Sequence, residues 1–279
     1  MKLLVFLLLP CLSLSEISSG FAKCYQFFLN NDPPKFTPSW GTTVKEICQC
    51  VWDENDEQKF VYATLYNTDW KIPIYSAYVF DRSEGVGRCD VWYIEPQLDD
   101  PNAEPCMAPS GRKSRNNQAM NRDYKGQDPN KPKYDKGHLY PVQHTYDHIS
   151  MLATSTLTNA APQDSEFNRG AWKYHEAAVI EDLESCGSKA YVVAGVVPDT
   201  NKRLNKRVTV SWYYWRATCC LKNGEITGQG YFGPDNNNNW QKLTITALQK
   251  QLKRHYSAEI EIFPNLPTGY KISPTGGCK

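Results

Sequence analysis

The cysteines constrain the fold of this chain more than any other feature. The sequence contains ten, of which Cys11 lies within an apolar run from Leu3 to Leu14. That run follows Lys2, precedes small residues and is too short to cross a membrane, so residues 1–20 are predicted to be a secretory signal peptide. No later segment stays apolar for the roughly 18 residues that a membrane span needs, and no transmembrane helix is predicted.

Removal of residues 1–20 leaves nine cysteines in residues 21–279, which we expect to be a secreted, soluble chain. An oxidising compartment pairs most cysteines, and an odd number leaves one thiol free or joined to another chain. The spacing does not choose among the pairings. A zinc site is the weaker alternative, because there is no C-x-x-C pair and the doublets Cys48/Cys50 and Cys219/Cys220 suit a tetrahedral site poorly. We therefore predict a disulfide-stabilised fold. The nine are Cys24, Cys48, Cys50, Cys89, Cys106, Cys186, Cys219, Cys220 and Cys278.

Residues 21–279 are numerous enough for one large domain or two small ones. We find no internal repeat and no linker that would divide them, so a single mixed α+β domain is predicted. The net charge is +1, from 31 basic and 30 acidic side chains. The chain therefore does not coat nucleic acid through bulk charge, and any site for a polyanion must be local.

Residue patterns predict several strands with helices beside them. The run at 189–198 is nearly all apolar, which predicts a central strand buried on both faces. A helix capped by Asp164 or Ser165 is predicted in the second half of 147–186. Residues 95–134 lose periodicity and are predicted to form a long loop that Cys106 could pin. The other predicted segments are strands at 59–67, 72–80 and 207–221, a surface helix at 244–260 and a turn-rich region at 21–52.

The stretch YDKGHLYPVQH at 134–144 carries the residues that point to chemistry. The imidazole of His138 can accept a proton from water near neutral pH. Gly137 predicts a tight turn that presents this histidine, and Lys136 adds a positive charge that attracts an anion. Asn168 lies in the first turn of the helix predicted thirty residues further on, and helix N-termini favour anions. These groups could together hydrolyse a phosphodiester, although a histidine beside a glycine is more often an ordinary turn residue.

The order of motifs here resembles the DNA/RNA non-specific endonucleases, secreted nucleases of the ββα-metal (His-Me finger) type. Asp135-Lys136-Gly137-His138 stands where that family has Asp-Arg-Gly-His, and Asn159, Pro162 and Gln163 match its Asn-x-x-Pro-Gln. Asn168, Gly170 and Trp172 match the Asn-x-Gly-x-Trp segment that enters a helix. The resemblance covers most of 59–260 and extends to the branch of endonuclease domain-containing 1 proteins. It implies a mainly antiparallel central sheet with flanking helices.

The resemblance also implies a role for each matching residue. His138 would be the general base that takes a proton from the attacking water. Asn168 would be the sole direct protein ligand of Mg²⁺, or of another divalent cation such as Mn²⁺. Glu176 would orient water bound to the metal, and Lys136 would attract the phosphate during binding and catalysis. Asn159 and Gln163 would brace the metal loop or contact the phosphate, with loop hydrogen bonding as an equal alternative.

The function implied is cleavage of DNA, and by extension RNA, without strong sequence preference, because phosphate contacts carry no base information. Lys136 departs from the family arginine, and lysine cannot make the planar two-pronged phosphate contact. This leaves an alternative open, namely an extracellular nucleic-acid-binding protein that keeps the nuclease fold and has lost useful turnover. A disulfide-framed lectin has only the aromatic content of 13% in its favour. His144 and His148 match no motif and are expected at the surface or behind the site.

Overall fold

The computed structural model describes residues 17, 20–37, 43–81, 91–111, 113, 115–128, 130, 133–186, 189–236, 239–273 and 277–278. Cys89 lies outside the described residues, and so does all of the predicted signal peptide except residues 17 and 20. No helix in the described ranges is both long enough and apolar enough to pass through a bilayer.

One large sheet organises the fold. In chain order the strands are β1 (Lys35–Thr37), β2 (Val44–Trp52), β3 (Gln58–Asn67), β4 (Ile72–Phe80), β5 (Tyr93–Ile94), β6 (Ala108–Pro109), β7 (Tyr134–His138), β8 (Ala160–Asp164), β9 (Ala190–Leu204), β10 (Val208–Lys222), β11 (Glu225–Pro234), β12 (Gln241–Leu243), β13 (Glu259–Glu261) and β14 (Lys271–Ile272). Eight of these described strands form the sheet, in the order β12-β11-β10-β9-β4-β3-β2 with β14 beside β11. Neighbouring strands in this sheet are antiparallel, except for the parallel pair β11 and β14. This confirms the predicted α+β class with a mainly antiparallel sheet.

The centre of the sheet agrees with the sequence patterns. β9 lies between β10 and β4, and Val192, Val193, Val196 and Val197 are all buried. A strand covered on both faces has no polar side to alternate with, which explains its continuous apolar run. The predictions at 59–67, 72–80 and 207–221 are confirmed as β3, β4 and β10. The turn-rich prediction for 21–52 is wrong at its end, since β2 occupies nine residues there.

Helices cover the two faces of the sheet. They are α1 (His148–Thr154), α2 (Ser165–Phe167), α3 (Lys173–Glu184) and α4 (Ile245–Tyr256), with a π-helical turn over Asn168–Trp172. Short 3-10 turns lie at Gly20–Lys23, Tyr25–Phe27, Leu29–Asn31, Pro96–Leu98, Asn121–Tyr124, Val142–His144 and Leu157–Asn159. α4 begins after Thr244, whose hydroxyl accepts from the Ala247 amide at 3.1 Å. It ends before Ser257, which has a left-handed φ of 52°. The helix predicted over 244–260 is therefore too long.

Side chains alternate along β10, and this alternation shows which elements pack on each face of the sheet. Trp215 packs beneath α4, where its Nε1 donates to Tyr256 Oη at 3.3 Å. Tyr214 points the other way and donates from Oη to the Ala161 carbonyl of β8 at 3.0 Å. Arg216 lies on the same side as Tyr214 and contacts α3. The pair β7/β8 and the helix α3 consequently share the face opposite α4.

The segment from β7 to α3 forms a ββα unit. β7 and β8 pair antiparallel, with Gly137 opposite Ala161 and His138 opposite Ala160. The Asp164 carboxylate accepts from the amides of Glu166 and Phe167, which caps α2 as predicted. The π-helical turn then feeds into α3. The structure thus contains the strand-strand-helix order that the resemblance implied.

Four disulfides hold the described chain together: Cys24–Cys48, Cys50–Cys106, Cys186–Cys220 and Cys219–Cys278. Adjacent Cys219 and Cys220 point to opposite faces of β10 because side chains alternate along a strand. Cys220 joins the segment after α3, and Cys219 joins the C-terminal segment. Cys106 pins the long loop to β2, as predicted.

Candidate active site

Gly137 lies within a strand, so the predicted tight turn at this residue is wrong. Its φ is not in the left-handed region, and the need for glycine comes from packing. A Cβ there would lie 2.4 Å from Gln163 Oε1 and 2.7 Å from Tyr214 Oη. The absence of a side chain lets β7 lie against β8 and β10, which determines where the next residue, His138, is presented.

His138 lines a cleft of about 890 Å³ at the edge of the ββα unit. The same cleft is lined by Lys136, Asn168 and Glu176, so four residues singled out from the sequence meet at one place. Further lining residues are Trp92, Asp135, Pro141, Val142, Gln143, Arg169 and Lys173. The His138 ring packs on Trp92, with ring centroids 4.8 Å apart at a tilt of 40°.

Asp135 organises the side of the cleft that contains Asn168. Its carboxylate accepts from Asn168 Nδ2 at 3.0 Å and from Arg169 Nε and Nη2 at 2.8 and 2.7 Å. Burial raises the pKa of Asp135, but the hydrogen bonds from Arg169, Asn168 and Ser165 outweigh burial and lower the pKa overall. A carboxylate can only accept, so Asn168 must turn its NH₂ toward Asp135. The amide oxygen Oδ1 is then the Asn168 atom available for a cation.

Glu176 is held from behind by a fully buried arginine. Arg216 Nη2 donates to Glu176 Oε1 at 3.3 Å, with side-chain exposures of 0% and 12%. Arg216 Nη1 donates to His175 Nε2 at 3.1 Å, and its guanidinium lies over the Trp172 ring. Burial raises the pKa of Glu176, whereas Arg216 pulls the pKa down. Burial and the neighbouring Arg216 keep the pKa of His175 well below its usual value, so this histidine is neutral.

Arg216 and Arg169 are functional candidates that the sequence analysis missed. The signal for Arg216 was a lone charge inside the apolar strand SWYYWRATCC, because a buried arginine needs a partner of opposite charge. Nothing in the sequence identifies that partner as Glu176, forty residues earlier. Arg169 lies directly after Asn168, but its pairing with Asp135 depends on how β7 meets α2.

The two unassigned histidines differ in position. His144 is buried, accepts from Tyr78 Oη at Nδ1 (2.8 Å) and donates from Nε2 to the Glu176 carbonyl (3.1 Å). It therefore supports the start of α3 from behind the cleft. His148 is exposed at the first position of α1. Both expected positions therefore occur: His144 lies behind the site and His148 lies at the surface.

Asn159 is fully buried and does not line the cleft. Its Oδ1 accepts from the Tyr140 amide at 3.0 Å, while its Nδ2 donates to the carbonyls of Tyr140 and Thr154 at 3.0 and 2.9 Å. These bonds fix the chain two residues after His138. The contacts favour the loop-bracing alternative for Asn159 over direct contact with substrate.

Gln163 is also fully buried and also absent from the lining of the cleft. It stands opposite Asp135 in the β7/β8 pair. Its amide group covers the space above Gly137. These positions favour a packing role in the ββα unit over contact with a phosphate.

Lys136 lies among aromatic rings at the mouth of the cleft. Its ammonium is 4.8 Å from the centroid of the Trp92 ring and 5.5 Å from that of Tyr124. Cation–π contacts restrict a lysine to fewer rotamers than it would sample in solvent. The residue that departs from the family arginine is thus held in position by two rings.

A model of the DNA/RNA non-specific endonucleases matches residues 46–268. This chain belongs to that family. The human (Homo sapiens) endonuclease domain-containing 1 protein is 33% identical over 227 residues, and the mouse (Mus musculus) protein of that name is 29% identical over 224 residues. The matches cover 77% and 76% of this chain, which spans 42% of the length of each relative. The resemblance to the family and to this branch is confirmed.

The fold is shared with a solved structure. A chain in the crystal structure of the EndoG/EndoGI complex superposes with a TM-score of 0.55 at 19% identity. The superposition covers 77% of this chain and 89% of that one. At this level of identity the likeness concerns the fold.

Non-specific endonucleases generally use divalent metal ions, and the donor set of the cleft fits such an ion. Within the described ranges, no three His, Cys, Asp or Glu side chains cluster as a metal site. Mg²⁺ does not need such a cluster, because it retains waters and is often bound by one or two protein oxygens. The Asn168 Oδ1 oxygen, oriented by Asp135, is an oxygen of the kind that Mg²⁺ prefers as a ligand.

Proposed function

We propose that this non-specific endonuclease family member is a secreted, metal-dependent nuclease that hydrolyses phosphodiester bonds of DNA, and by extension of RNA, without strong sequence preference. The observation that carries the proposal is the meeting of His138, Asn168, Lys136 and Glu176 in one cleft. An imidazole base, an oriented amide oxygen, a cation and a carboxylate are the groups that metal-assisted phosphodiester hydrolysis requires.

Each side chain has a role that follows from its surroundings. His138 takes the proton from the attacking water, and the Trp92 ring holds the imidazole at the cleft wall. Lys136 attracts the phosphate as a point charge, supported by the rings of Trp92 and Tyr124. Asn168 would hold Mg²⁺ or Mn²⁺ through Oδ1, and a bound cation would offset negative charge on the phosphate. Glu176, kept in place by Arg216, would orient water near that cation.

Secretion is proposed from two independent features. The N-terminal apolar run has the length and flanks of a signal peptide. Four disulfides among the described cysteines suit an oxidising compartment, because they are rare in the cytosol. Export and intact disulfides can be tested by expressing the full chain in cultured cells and recovering it from the medium under non-reducing conditions.

The nuclease proposal is tested by incubating purified protein with supercoiled plasmid, in Mg²⁺ or in EDTA. We expect nicking in Mg²⁺ and none in EDTA. An Asn168→Ala variant should need a higher Mg²⁺ concentration for half-maximal cleavage, and an unchanged magnesium titration would overturn the ligand assignment. Binding of DNA without metal-dependent nicking at any pH between about 6 and about 9 would favour the alternative, a binding protein without turnover.

A further inference from the structure

A second cavity of about 300 Å³ opens directly beside the cleft. Asp135, Lys136 and Arg169 line both spaces, so the two are continuous across β7. We call the second space the side pocket and define it by Lys133, Tyr134 and Arg169. A nucleic-acid strand that presents one phosphate to His138 must continue beyond the cleft, and the side pocket adjoins the cleft.

Basic groups converge on the side pocket. Lys133 and Arg169 are exposed, and Lys136 lies at the junction with the cleft. Of the described lining residues, the only acid is Asp135, whose two oxygens are engaged by Arg169, Asn168 and Ser165. The space therefore carries a net positive charge, which attracts phosphate groups rather than cations.

Tyr134 contributes an aromatic ring to this basic pocket, and its backbone is anchored. The Gln127 side chain accepts from the Tyr134 amide at 2.6 Å and donates to its carbonyl at 2.8 Å, so both polar backbone groups are bound. Lys202 Nζ lies 5.1 Å from the centroid of the Tyr134 ring. An aromatic ring among cations is the combination that binds single-stranded nucleic acid, with bases on the ring and phosphates on the cations.

We propose that the side pocket binds the nucleotide next to the scissile phosphate, with its phosphate on Lys133 and Arg169 and its base against Tyr134. The proposal builds on the nuclease function given above and names where the substrate strand continues. It also explains how a cleft that departs from the family arginine at Lys136 can gain further phosphate contacts. Single-stranded segments are favoured, because an unpaired base is free to turn its face to the ring.

Fluorescence anisotropy of a labelled single-stranded DNA of about 12 nucleotides, in EDTA, tests the side pocket without requiring cleavage. We expect Lys133→Ala to raise Kd about tenfold and to reduce the slope of log Kd against log salt by about 0.7. Tyr134→Leu should raise Kd by about tenfold, whereas Tyr134→Phe, which keeps the ring, should bind like the parent. Lys250→Ala, an exposed lysine on α4 at the opposite face, is the matched control.

The outcomes separate the side pocket from the nuclease function. Parent-like binding by Lys133→Ala and Tyr134→Leu would overturn the side pocket, even if the parent cuts plasmid. An equal loss of affinity in Lys250→Ala would also overturn it. If the two pocket variants lose affinity and the parent never nicks plasmid, the side pocket would be supported and the nuclease function contradicted. Thermal unfolding of each variant verifies that Tyr134→Leu is folded, and Lys133→Ala, which changes an exposed side chain, retains the test if Tyr134→Leu is not folded.

Discussion

At the scale of single residues, Gly137 is tightly enclosed by its neighbours in β8 and β10. We expect Gly137→Ala to lower the free energy of unfolding by about 1–3 kcal/mol and to abolish plasmid nicking, since Cβ would overlap Gln163 and Tyr214. Urea unfolding and the nicking assay measure both effects. Gly111→Ala is the control, because a Cβ there meets nothing within 4 Å. Parent-like stability of Gly137→Ala would contradict the close packing.

We propose that Arg216 is a positioning residue that acts through Glu176. Arg216→Lys keeps the charge but loses the fork that reaches Glu176 and His175 together. Arg216 favours the ionised carboxylate, so a weaker partner leaves the pKa of Glu176 higher. If cleavage needs ionised Glu176, activity should fall at a higher pH on acidification of Arg216→Lys than of the parent.

The measurement for Arg216 is the pH dependence of kcat for oligonucleotide cleavage. Arg207→Lys is a matched control. Arg207 Nε pairs with the buried Asp123 carboxylate at 2.9 Å, and neither residue lines the cleft. An acid limb at the same pH in all three proteins would show that Arg216 has only a structural role. Arg216→Met should instead lose roughly 3–5 kcal/mol of stability, since it leaves a largely buried carboxylate without its counter-charge.

At the scale of elements, the Cys186–Cys220 disulfide ties the end of α3, the helix that carries Glu176, to β10. It closes a segment of 34 residues. Replacing both cysteines with serine should cost about 2–4 kcal/mol of unfolding free energy and reduce kcat. Removing Cys219–Cys278, on the other face of β10, should cost similar stability and leave the kcat of folded protein unchanged. Equal kcat losses in both variants would contradict this assignment.

Asp235 joins the end of β11 to β8. Its Oδ1 accepts from the Asp164 amide at 2.9 Å, and burial raises the pKa of Asp235 to about 9. The unfolded chain loses this proton near pH 4, whereas the native state keeps the proton until about pH 9. The native state therefore binds more protons between these values, and its stability falls as pH rises through that window.

Asp235→Asn keeps the Oδ1 acceptor and removes the titration. Between about pH 5 and about pH 8, the free energy of unfolding should fall less in this variant than in the parent. The two decreases should differ by at least about 1 kcal/mol. Urea unfolding at both pH values gives the difference, with exposed Asp56→Asn as the control. An Asp235→Asn variant with the pH dependence of the parent would show that Asp235 is ionised in the native state.

The elements that the sequence predicted are those with a strong local pattern. β3, β4, β9 and β10 have apolar or β-branched runs of strand length, and α3 has apolar residues at helical spacing. α1 was missed because it has only seven residues, and β7 was mistaken for a turn because its glycine serves packing. His138 and Asn168 were found through motif order. Arg216 was not, because its partner Glu176 is 40 residues away in sequence and contacts it only in the folded chain.

At the scale of the whole molecule, the net charge is only +1. Attraction of a nucleic acid must therefore come from the local basic groups of the cleft and the side pocket. Binding of nucleic acid should therefore weaken as salt rises, with a slope set by a few local contacts. The chain spans 42% of the length of the endonuclease domain-containing 1 proteins that it matches.

The proposal as a whole depends on His138 as the base in a folded, metal-dependent cleft. The direct measurement is plasmid cleavage by parent and His138→Ala protein in Mg²⁺, with thermal unfolding recorded on the same samples. We expect His138→Ala to cut at least about 100-fold more slowly, while its unfolding temperature stays within about 3 °C of the parent. Cleavage by folded His138→Ala at the parent rate would show that the base lies elsewhere.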